Sequence, residues 1–283
     1  MSLEVAADFP CACGEAPLWH PEHERLYWVD VDEGKMYAFD PKARSAERVY
    51  RGGVIGGMTL QADGRLLLFM KDGAIGLWSP QSGLELQRAV TAGVEGTRFN
   101  DVIADPQGRV FAGTMPSQNQ PGRLYRLDPD GSIHCLLERV GQPNGMAFSP
   151  DLGYFYLTDT LNRKIQRFVY QQSDGEISQP ETLVEIPAGR GQPDGLTVDH
   201  QGYLWSAHWD GSCITRYDAG GKQAETIQVQ VRHVTSLTFV GQEVYVTSAG
   251  GSDRPGSGPQ AGALFKMRAQ VSAPPEFRSR VNF

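Results

Sequence analysis

Short apolar segments recur along the chain at a nearly constant interval. Each segment is rich in branched and aromatic residues, and turns that carry Asp, Asn, Gly or Pro separate it from the next one. Segments that predict the first strand of a repeat begin near six positions: Pro17, Met58, Val102, Met146, Leu196 and Leu237. The intervals of 41, 44, 44, 50 and 41 residues match the length of a four-stranded propeller blade.

The segments inside each interval have the composition of β-strands. In the first unit, residues 16–20, 25–30 and 35–40 are apolar or aromatic runs separated by short turns. Asp-Gly pairs at residues 63–64 and 130–131 are hairpin signals, because Gly supplies the positive φ that tight turns require. No segment longer than about ten residues has a helical period. The pattern therefore predicts an all-β protein, a six-bladed β-propeller of four-stranded antiparallel blades.

The two ends of the chain are expected to meet in one blade. The last repeat has three clear strands, the third at residues 263–267, and we expect residues 2–6 to supply the fourth strand and close the ring. Since each blade buries its faces against its neighbours, we predict a single propeller domain over residues 1–283. Residues 115–121 and 250–260 are then loops on a face of the disc, and the tail after residue 267 wraps the surface.

Composition and charge narrow the class of partner. Hydrophobic residues make up 40% and charged residues 21%, which is typical of a globular protein, and the net charge of -7 argues against nucleic acid as a partner. The N-terminus has no basic flank, and no apolar run approaches the roughly 20 residues of a membrane span. We therefore expect a cytoplasmic protein that does not contact membranes, as a monomer or weak homodimer.

Two stretches of the chain are near copies of each other: GQPNGMAF at residues 141–148 and GQPDGLTV at residues 191–198. Asn144 and Asp194 each stand between Pro and Gly, just ahead of a predicted innermost strand. In a propeller such positions converge on the axis, and the equivalent position of the first blade holds Glu15. A single Asn or Asp beside Gly is usually a turn former. Recurrence in register favours a shared target instead.

The side chains of Glu15, Asn144 and Asp194 would present three hard oxygen donors at one depth on the axis. Such donors suit calcium, magnesium or manganese better than zinc, and three protein ligands leave positions open for water and substrate. The expected cofactor is one divalent metal cation, calcium first, with zinc, manganese or magnesium as alternatives.

Arg98 and Asn100 occupy the corresponding place in the third blade. Arg offers a planar fork of donors that keeps its charge, and Asn offers both a donor and an acceptor. This combination suits the carbonyl and hydroxyl groups of a polyol. The alternative for Arg98 is a solvated salt bridge at the rim.

The chain resembles the family of regucalcin (senescence marker protein), gluconolactonase and luciferin-regenerating enzyme, whose members are six-bladed β-propellers. The resemblance runs from Cys13 to Gly250. The motifs that carry it are GEAPLW at residues 14–19, LYWVD at 26–30, RFND at 98–101, FAGTM at 111–115, PNG at 143–145, DT at 159–160, PDG at 193–195 and GYLW at 202–205.

The resemblance implies a divalent metal held by Glu15, Asn144 and Asp194, substrate binding by Arg98 and Asn100, and hydrolysis of sugar lactones. The chain departs from the family in one loop. Regucalcin-like members have a longer loop after the Gly-Thr-Met of blade three, and that loop supplies an acidic substrate contact. The corresponding loop here, residues 116–121, is short and contains no acidic residue.

These observations lead to one hypothesis and two alternatives. The leading hypothesis is a lactonase that opens the ring of a sugar lactone such as glucono-, galactono- or arabinonolactone, by water attack on a metal-polarised carbonyl with Asp194 as the general base. The first alternative is a phosphotriesterase or arylesterase that uses the same metal site. The second is a non-catalytic calcium-binding propeller. Polar groups such as Arg98 and Asn100 favour a polyol over an apolar ester.

Overall fold

The chain folds as a ring of six β-sheets. The computed structural model describes residues 3–88 and 91–283, and within these ranges there are twenty-four strands in six four-stranded antiparallel sheets. The innermost strand of each sheet contacts those of the two neighbouring sheets, so that six strands surround a central axis. This arrangement confirms the predicted six-bladed β-propeller. The described residues include no helix long and apolar enough to cross a membrane.

Each blade is numbered by its place in the chain and listed from its innermost strand outward. Blades one and two contain β2 (Gly14–His20), β3 (Arg25–Asp30), β4 (Lys35–Asp40) and β5 (Ser45–Arg51), then β6 (Ile55–Leu60), β7 (Leu66–Met70), β8 (Ile75–Ser79) and β9 (Gly83–Arg88). Blades three and four contain β10 (Phe99–Ala104), β11 (Val110–Thr114), β12 (Gly122–Leu127) and β13 (Ile133–Val140), then β14 (Pro143–Phe148), β15 (Tyr154–Asp159), β16 (Lys164–Gln171) and β17 (Glu176–Glu185). Blades five and six contain β18 (Gln192–Val198), β19 (Leu204–Trp209), β20 (Cys213–Tyr217) and β21 (Gln223–Gln228), then β22 (His233–Val240), β23 (Glu243–Ala249), β24 (Leu264–Arg268) and β1 (Glu4–Ala7).

The N-terminal strand closes the ring. β1 pairs antiparallel with β24, with Glu4 opposite Lys266 and Val5 opposite Phe265. The sixth blade is thus built from both ends of the chain, as predicted. Ser2, which the prediction included in this strand, lies outside the described residues.

Apolar side chains between neighbouring sheets hold the blades together. Trp28, Phe69, Phe111, Phe155 and Trp205, all on second strands, are fully buried, and the rings of Phe111 and Phe155 from adjacent blades lie 4.9 Å apart. Burying one such ring contributes about 1.5–3 kcal/mol. The outermost strands are exposed or half-buried at most positions. The innermost strands are mostly buried, so the buried polar side chains on them need partners.

Every innermost strand contains a β-bulge near its beginning. The pairing register shifts between residues 15 and 18, 55 and 57, 99 and 102, 143 and 146, 193 and 196, and 234 and 237. The strands begin three or four residues before the positions predicted from sequence. Glu15, Asn100, Asn144 and Asp194 thus lie on the strands, at or within the bulges, whereas Arg98 directly precedes β10. A bulge redirects side chains that regular pleating would point elsewhere.

Gly145 and Gly195, which follow Asn144 and Asp194, stand where a larger residue would clash with the neighbouring strand. Neither has a positive φ. A Cβ atom on Gly145 would lie 2.1 Å from the backbone nitrogen of Leu196, and one on Gly195 would lie 2.6 Å from the Cα of Ser236. Glycine is required because neighbouring innermost strands approach so closely, and not because a turn demands an unusual backbone angle.

The C-terminal tail crosses the face of the ring opposite the bulges, as the predicted surface wrap. His200 N of blade five donates to Ser272 O at 2.9 Å, and Ser279 N donates to Leu60 O of blade two at 2.9 Å. Between these two anchors, residues 274–277 line the central channel. The tail therefore covers one end of the channel.

Candidate active site

Three of the predicted site residues converge from blades one, four and five. Glu15, Asn144 and Asp194 are only 8%, 3% and 5% exposed. The side-chain nitrogen Nδ2 of Asn144 donates a hydrogen bond to Oδ1 of Asp194. Asp194 is also close enough to Glu15 for its charge to raise the pKa of Glu15. The bulges thus place side chains that are far apart in sequence in one buried cluster.

Three carboxyl groups share this cluster with one guanidinium group. Burial, followed by the charges of Asp194 and Asp101, raises the pKa of Glu15 well above its ordinary value. Burial and the charge of Asp101 do the same to the pKa of Asp194, and burial raises the pKa of Asp101 to about 6. Arg98 opposes all three shifts. Since one cationic side chain cannot balance the buried carboxylates of Glu15 and Asp194 together with the half-buried Asp101, the cluster favours either protons or an added positive ion.

The Asn144 amide is satisfied at its nitrogen and not at its oxygen. Its Nδ2 donates to Asp194 Oδ1 and to Thr160 Oγ1, the latter at 3.0 Å. Its Oδ1 is buried and has no hydrogen-bond partner within residues 3–88 and 91–283. Leaving such a group without a partner costs about 1–3 kcal/mol, and it is unusual in native proteins. An added cation would give this oxygen a partner.

These residues fit a hard divalent cation. Carboxylate and amide oxygens are the ligands that calcium, magnesium and manganese prefer. Across residues 3–88 and 91–283, no three His, Cys, Asp or Glu side chains are grouped as metal ligands. The Asn144 oxygen would give a cation in this cluster a third protein donor beside Glu15 and Asp194.

The backbone next to each of the three residues is anchored by a side chain of a neighbouring blade. In every case the acceptor is the carbonyl group directly before the site residue. The bonds run from Thr235 Oγ1 to Gly14 O at 2.5 Å, from Asn100 Nδ2 to Pro143 O at 3.0 Å, and from Thr160 Oγ1 to Pro193 O at 2.8 Å. The positions of Glu15, Asn144 and Asp194 are therefore fixed by contacts between blades.

The loops that lead into these bulges are held by the ends of the second strands. Asp30 and Asp159 each accept hydrogen bonds from two successive backbone amides of the loop, at 3.0–3.1 Å. In blade five His208 takes this place and its Nδ1 donates to Arg190 O at 2.9 Å. Burial lowers the pKa of His208, which favours the neutral ring. The motif residues Asp30 and Asp159 thus have structural contacts that account for their presence.

Arg98 and Asn100 form a connected pair at the edge of the cluster. Nη1 of Arg98 donates to Asn100 Oδ1 at 2.7 Å and to Phe99 O at 2.9 Å. In the part of the chain that the structure describes, Arg98 makes no salt bridge, so the rim ion pair considered above is absent there. Its other N–H groups remain available to a ligand. Asn100 also donates to Pro143 O, which leaves it one N–H and one lone pair.

Asp101 lies at the candidate site, although the sequence pattern did not single it out. It lines an axial cavity of about 360 Å³ that extends to residues 274–277 of the tail. It follows Asn100 directly, within the bulge of β10. The two-residue period of a strand cannot tell which of two adjacent polar residues faces the axis where a bulge interrupts that period.

The raised pKa of Asp101 predicts how the stability of the metal-free protein depends on pH. An unfolded Asp titrates near 4, and because the folded pKa is about 6, the charged carboxylate destabilises the fold increasingly as pH rises from about 4 to above 6. Asp101→Asn should therefore raise the melting temperature more at pH 7.5 than at pH 4.5. For a protein of this size, a change of roughly 1 kcal/mol in the free energy of unfolding shifts the melting temperature by about 2–4 °C. Thermal unfolding in a chelator measures this. A difference that does not grow with pH would contradict it.

Comparison with known proteins agrees with this architecture. Residues 13–250 match the family described as SMP-30/Gluconolactonase/LRE-like region. The chain is 44% identical to the pentonolactonase XacC of Haloferax volcanii over 99% of both chains, and 31% identical to the 6-deoxy-6-sulfogluconolactonase of Pseudomonas putida over 95% of this chain and 96% of that one. A solved structure of luciferin-regenerating enzyme superposes with a TM-score of 0.89 at 25% identity, covering 99% of each chain. The chain belongs to the SMP-30/gluconolactonase/LRE-like family.

Proposed function

We propose that this protein is a metal-dependent lactonase that hydrolyses a sugar lactone of the aldonolactone class to the open-chain acid. The observation that carries the proposal is the buried cluster of Glu15, Asp194 and the unpartnered Asn144 oxygen beside the guanidinium of Arg98. Two relatives are named as lactonases, one as a pentonolactonase and one as a 6-deoxy-6-sulfogluconolactonase, which supports the same reaction class. The ring closed by β1 and β24 supports one domain over residues 1–283.

Glu15, Asn144 and Asp194 would hold one divalent cation, calcium first and zinc, manganese or magnesium as alternatives. When bound, the cation would supply Lewis-acid polarisation of the lactone carbonyl and positive charge for the carboxylates. The bulges and the three anchoring hydrogen bonds hold the donors in place before substrate arrives. Such preorganisation avoids rearrangement during the reaction.

Asp194 would act as the general base. The water oxygen forms a bond to the lactone carbonyl carbon, Asp194 accepts the water proton, the ring C–O bond breaks, and the proton passes to the departing ring oxygen. Its carboxylate is buried and is held by the Asn144 amide, and a carboxylate so positioned can accept the proton of an attacking water. The product is an acid, so each turnover acidifies the solution.

Arg98 would orient the substrate, with Asn100 as its support. The guanidinium donors of Arg98 that face no protein partner suit the hydroxyl and ring oxygens of a sugar lactone. Asn100 Oδ1 holds the guanidinium in place. The free N–H and lone pair of Asn100 offer a second contact to the substrate hydroxyl groups.

Replacement of Arg98 by Lys should raise KM for the lactone about 10-fold, with a smaller change in kcat. Lys keeps the charge but cannot reproduce the fork that contacts Asn100 and substrate together. Steady-state kinetics at saturating cation measures this. Arg65→Lys is the matched control, because Arg65 pairs with Asp63 and Glu85 on an exposed hairpin and its KM should equal that of the wild type. An unchanged KM in Arg98→Lys would contradict the assignment.

A substrate panel tests the proposed function. Glucono-, galactono- and arabinonolactone, an aryl ester and paraoxon are each offered with calcium, zinc, manganese or magnesium, and acid release is followed with a pH indicator. We expect turnover of at least one sugar lactone and little or no turnover of paraoxon. Turnover of the esters alone, or cation binding without hydrolysis of any substrate, would overturn the proposal.

A further inference from the structure

Thr160 makes two hydrogen bonds of opposite sense, although it is not among the residues proposed to bind metal or substrate. It lies just after β15 and is 5% exposed. Its Oγ1 donates to Pro193 O at 2.8 Å and accepts from Asn144 Nδ2 at 3.0 Å. The hydroxyl therefore links the Asn144 side chain to the backbone directly before Asp194.

The sense of these two bonds fixes the orientation of the Asn144 amide. A carbonyl oxygen such as Pro193 O can only accept, so the single proton of the Thr160 hydroxyl is committed to it. The hydroxyl can then offer Asn144 only a lone pair, and the amide must turn its nitrogen toward Thr160. Oδ1 is consequently left on the other side of the amide, buried and without a partner in the described part of the chain.

We propose that Thr160 is a positioning residue that holds the Asn144 amide with its oxygen available as a metal ligand. The inference rests on the proposed function, because it assumes a cation among Glu15, Asn144 and Asp194. The second contact of the amide nitrogen is Asp194, which is itself a proposed ligand and would turn its oxygens toward a bound cation. Thr160 lies outside the proposed ligand set, so its hold on the amide would not depend on the cation.

Without the Thr160 hydroxyl, the amide loses the contact that distinguishes its two ends. A rotated amide presents N–H groups, which cannot coordinate a cation, in place of the oxygen. Residues that orient metal ligands in this way typically contribute about 10–100-fold to metal affinity. The effect on affinity is therefore predicted to be large even though Thr160 never contacts the metal.

The test measures cation binding directly. Chelator-treated wild type, Thr160→Val and Thr160→Ser are titrated with Ca²⁺ and with Mn²⁺ by calorimetry. We expect the Kd of Thr160→Val to be about 10–100-fold higher than that of the wild type. Thr160→Ser keeps the hydroxyl and should bind cations like the wild type. Saturating cation should restore most of the kcat of Thr160→Val. If Thr160→Val disturbs the packing, Thr160→Ala takes its place in the same test, because Ala also lacks the hydroxyl and adds no bulk.

Thr158→Val is the matched control. Thr158 lies on β15, two residues before Thr160, is fully buried, and has a hydroxyl without a hydrogen-bond partner among the residues that the structure describes. Its replacement should leave the Kd unchanged. A folded Thr160→Val protein that binds both cations like the wild type, or an equal loss in Thr158→Val, would overturn the positioning role. Absence of cation binding in the wild type would instead overturn the proposed metal site itself, and the role of Thr160 with it.

Discussion

The Asp194→Asn variant is expected to lose about 10²–10⁴-fold in kcat for a sugar lactone, with a much smaller change in KM. Asn has the shape of Asp and keeps an oxygen that can bind a cation, but it cannot accept a proton from the attacking water. Steady-state kinetics at saturating cation measures the effect. Raising the cation concentration further should not restore turnover, because the missing function is proton transfer.

Asp199→Asn is the control for this variant. Asp199 lies directly after the same innermost strand, is fully buried, and accepts hydrogen bonds from Trp205 Nε1 at 2.9 Å and Arg216 Nη2 at 2.6 Å. Its replacement should lower the melting temperature while kcat stays close to the wild-type value. Turnover by Asp194→Asn comparable to that of the wild type would remove Asp194 from the role of general base.

The Glu15→Gln variant should lose activity through loss of the metal. The change removes one negative ligand from a buried cluster, and we expect cation affinity to fall by about 100-fold or more, because even residues that only orient ligands contribute about 10–100-fold. Unlike Asp194→Asn, this variant should regain much of its turnover in excess cation. Calorimetric titration and activity measured against cation concentration give the two quantities.

Glu24→Gln makes the same chemical change at the other end of blade one, where Glu24 pairs with Lys42 on the surface. Its cation affinity should be that of the wild type. A Glu15→Gln protein that binds cations as tightly as the wild type would show that Glu15 is not a ligand.

The blades could be predicted from sequence because each is a local unit. A blade needs four short strands and three turns, and the regular spacing of the segments that begin near Pro17, Met58 and Val102 is enough to indicate the repeat. All six predicted innermost segments lie on the observed innermost strands. The closing pair of β1 and β24 was also predictable, since the last repeat lacks one strand.

The bulges could not be predicted in the same way. The pattern placed Asn144 and Asp194 ahead of their strands, whereas the structure has them inside, where the register shifts. Gly145 and Gly195 suggested turns, but they are required by the distance between neighbouring strands. Both features depend on how close the six strands come around the axis, which no single segment encodes.

Recurrence singled out Glu15, Asn144 and Asp194 as candidates, and it could not single out Asp101 or Thr160. Asp101 has no counterpart at the same place in blades four and five, where Gly145 and Gly195 stand. Thr160 contributes from the end of a second strand through contacts across blades. The sequence thus indicates the residues that repeat, while the contacts that orient them appear only in three dimensions.

The most direct test of the metal-dependent lactonase is reconstitution of the metal-free protein. Metal is removed with a chelator and its absence verified by elemental analysis, and kcat/KM for arabinonolactone and gluconolactone is then measured before and after addition of each cation. We expect turnover to disappear with the metal and to return when calcium, zinc, manganese or magnesium is restored. Full lactone turnover by verified metal-free protein would contradict it.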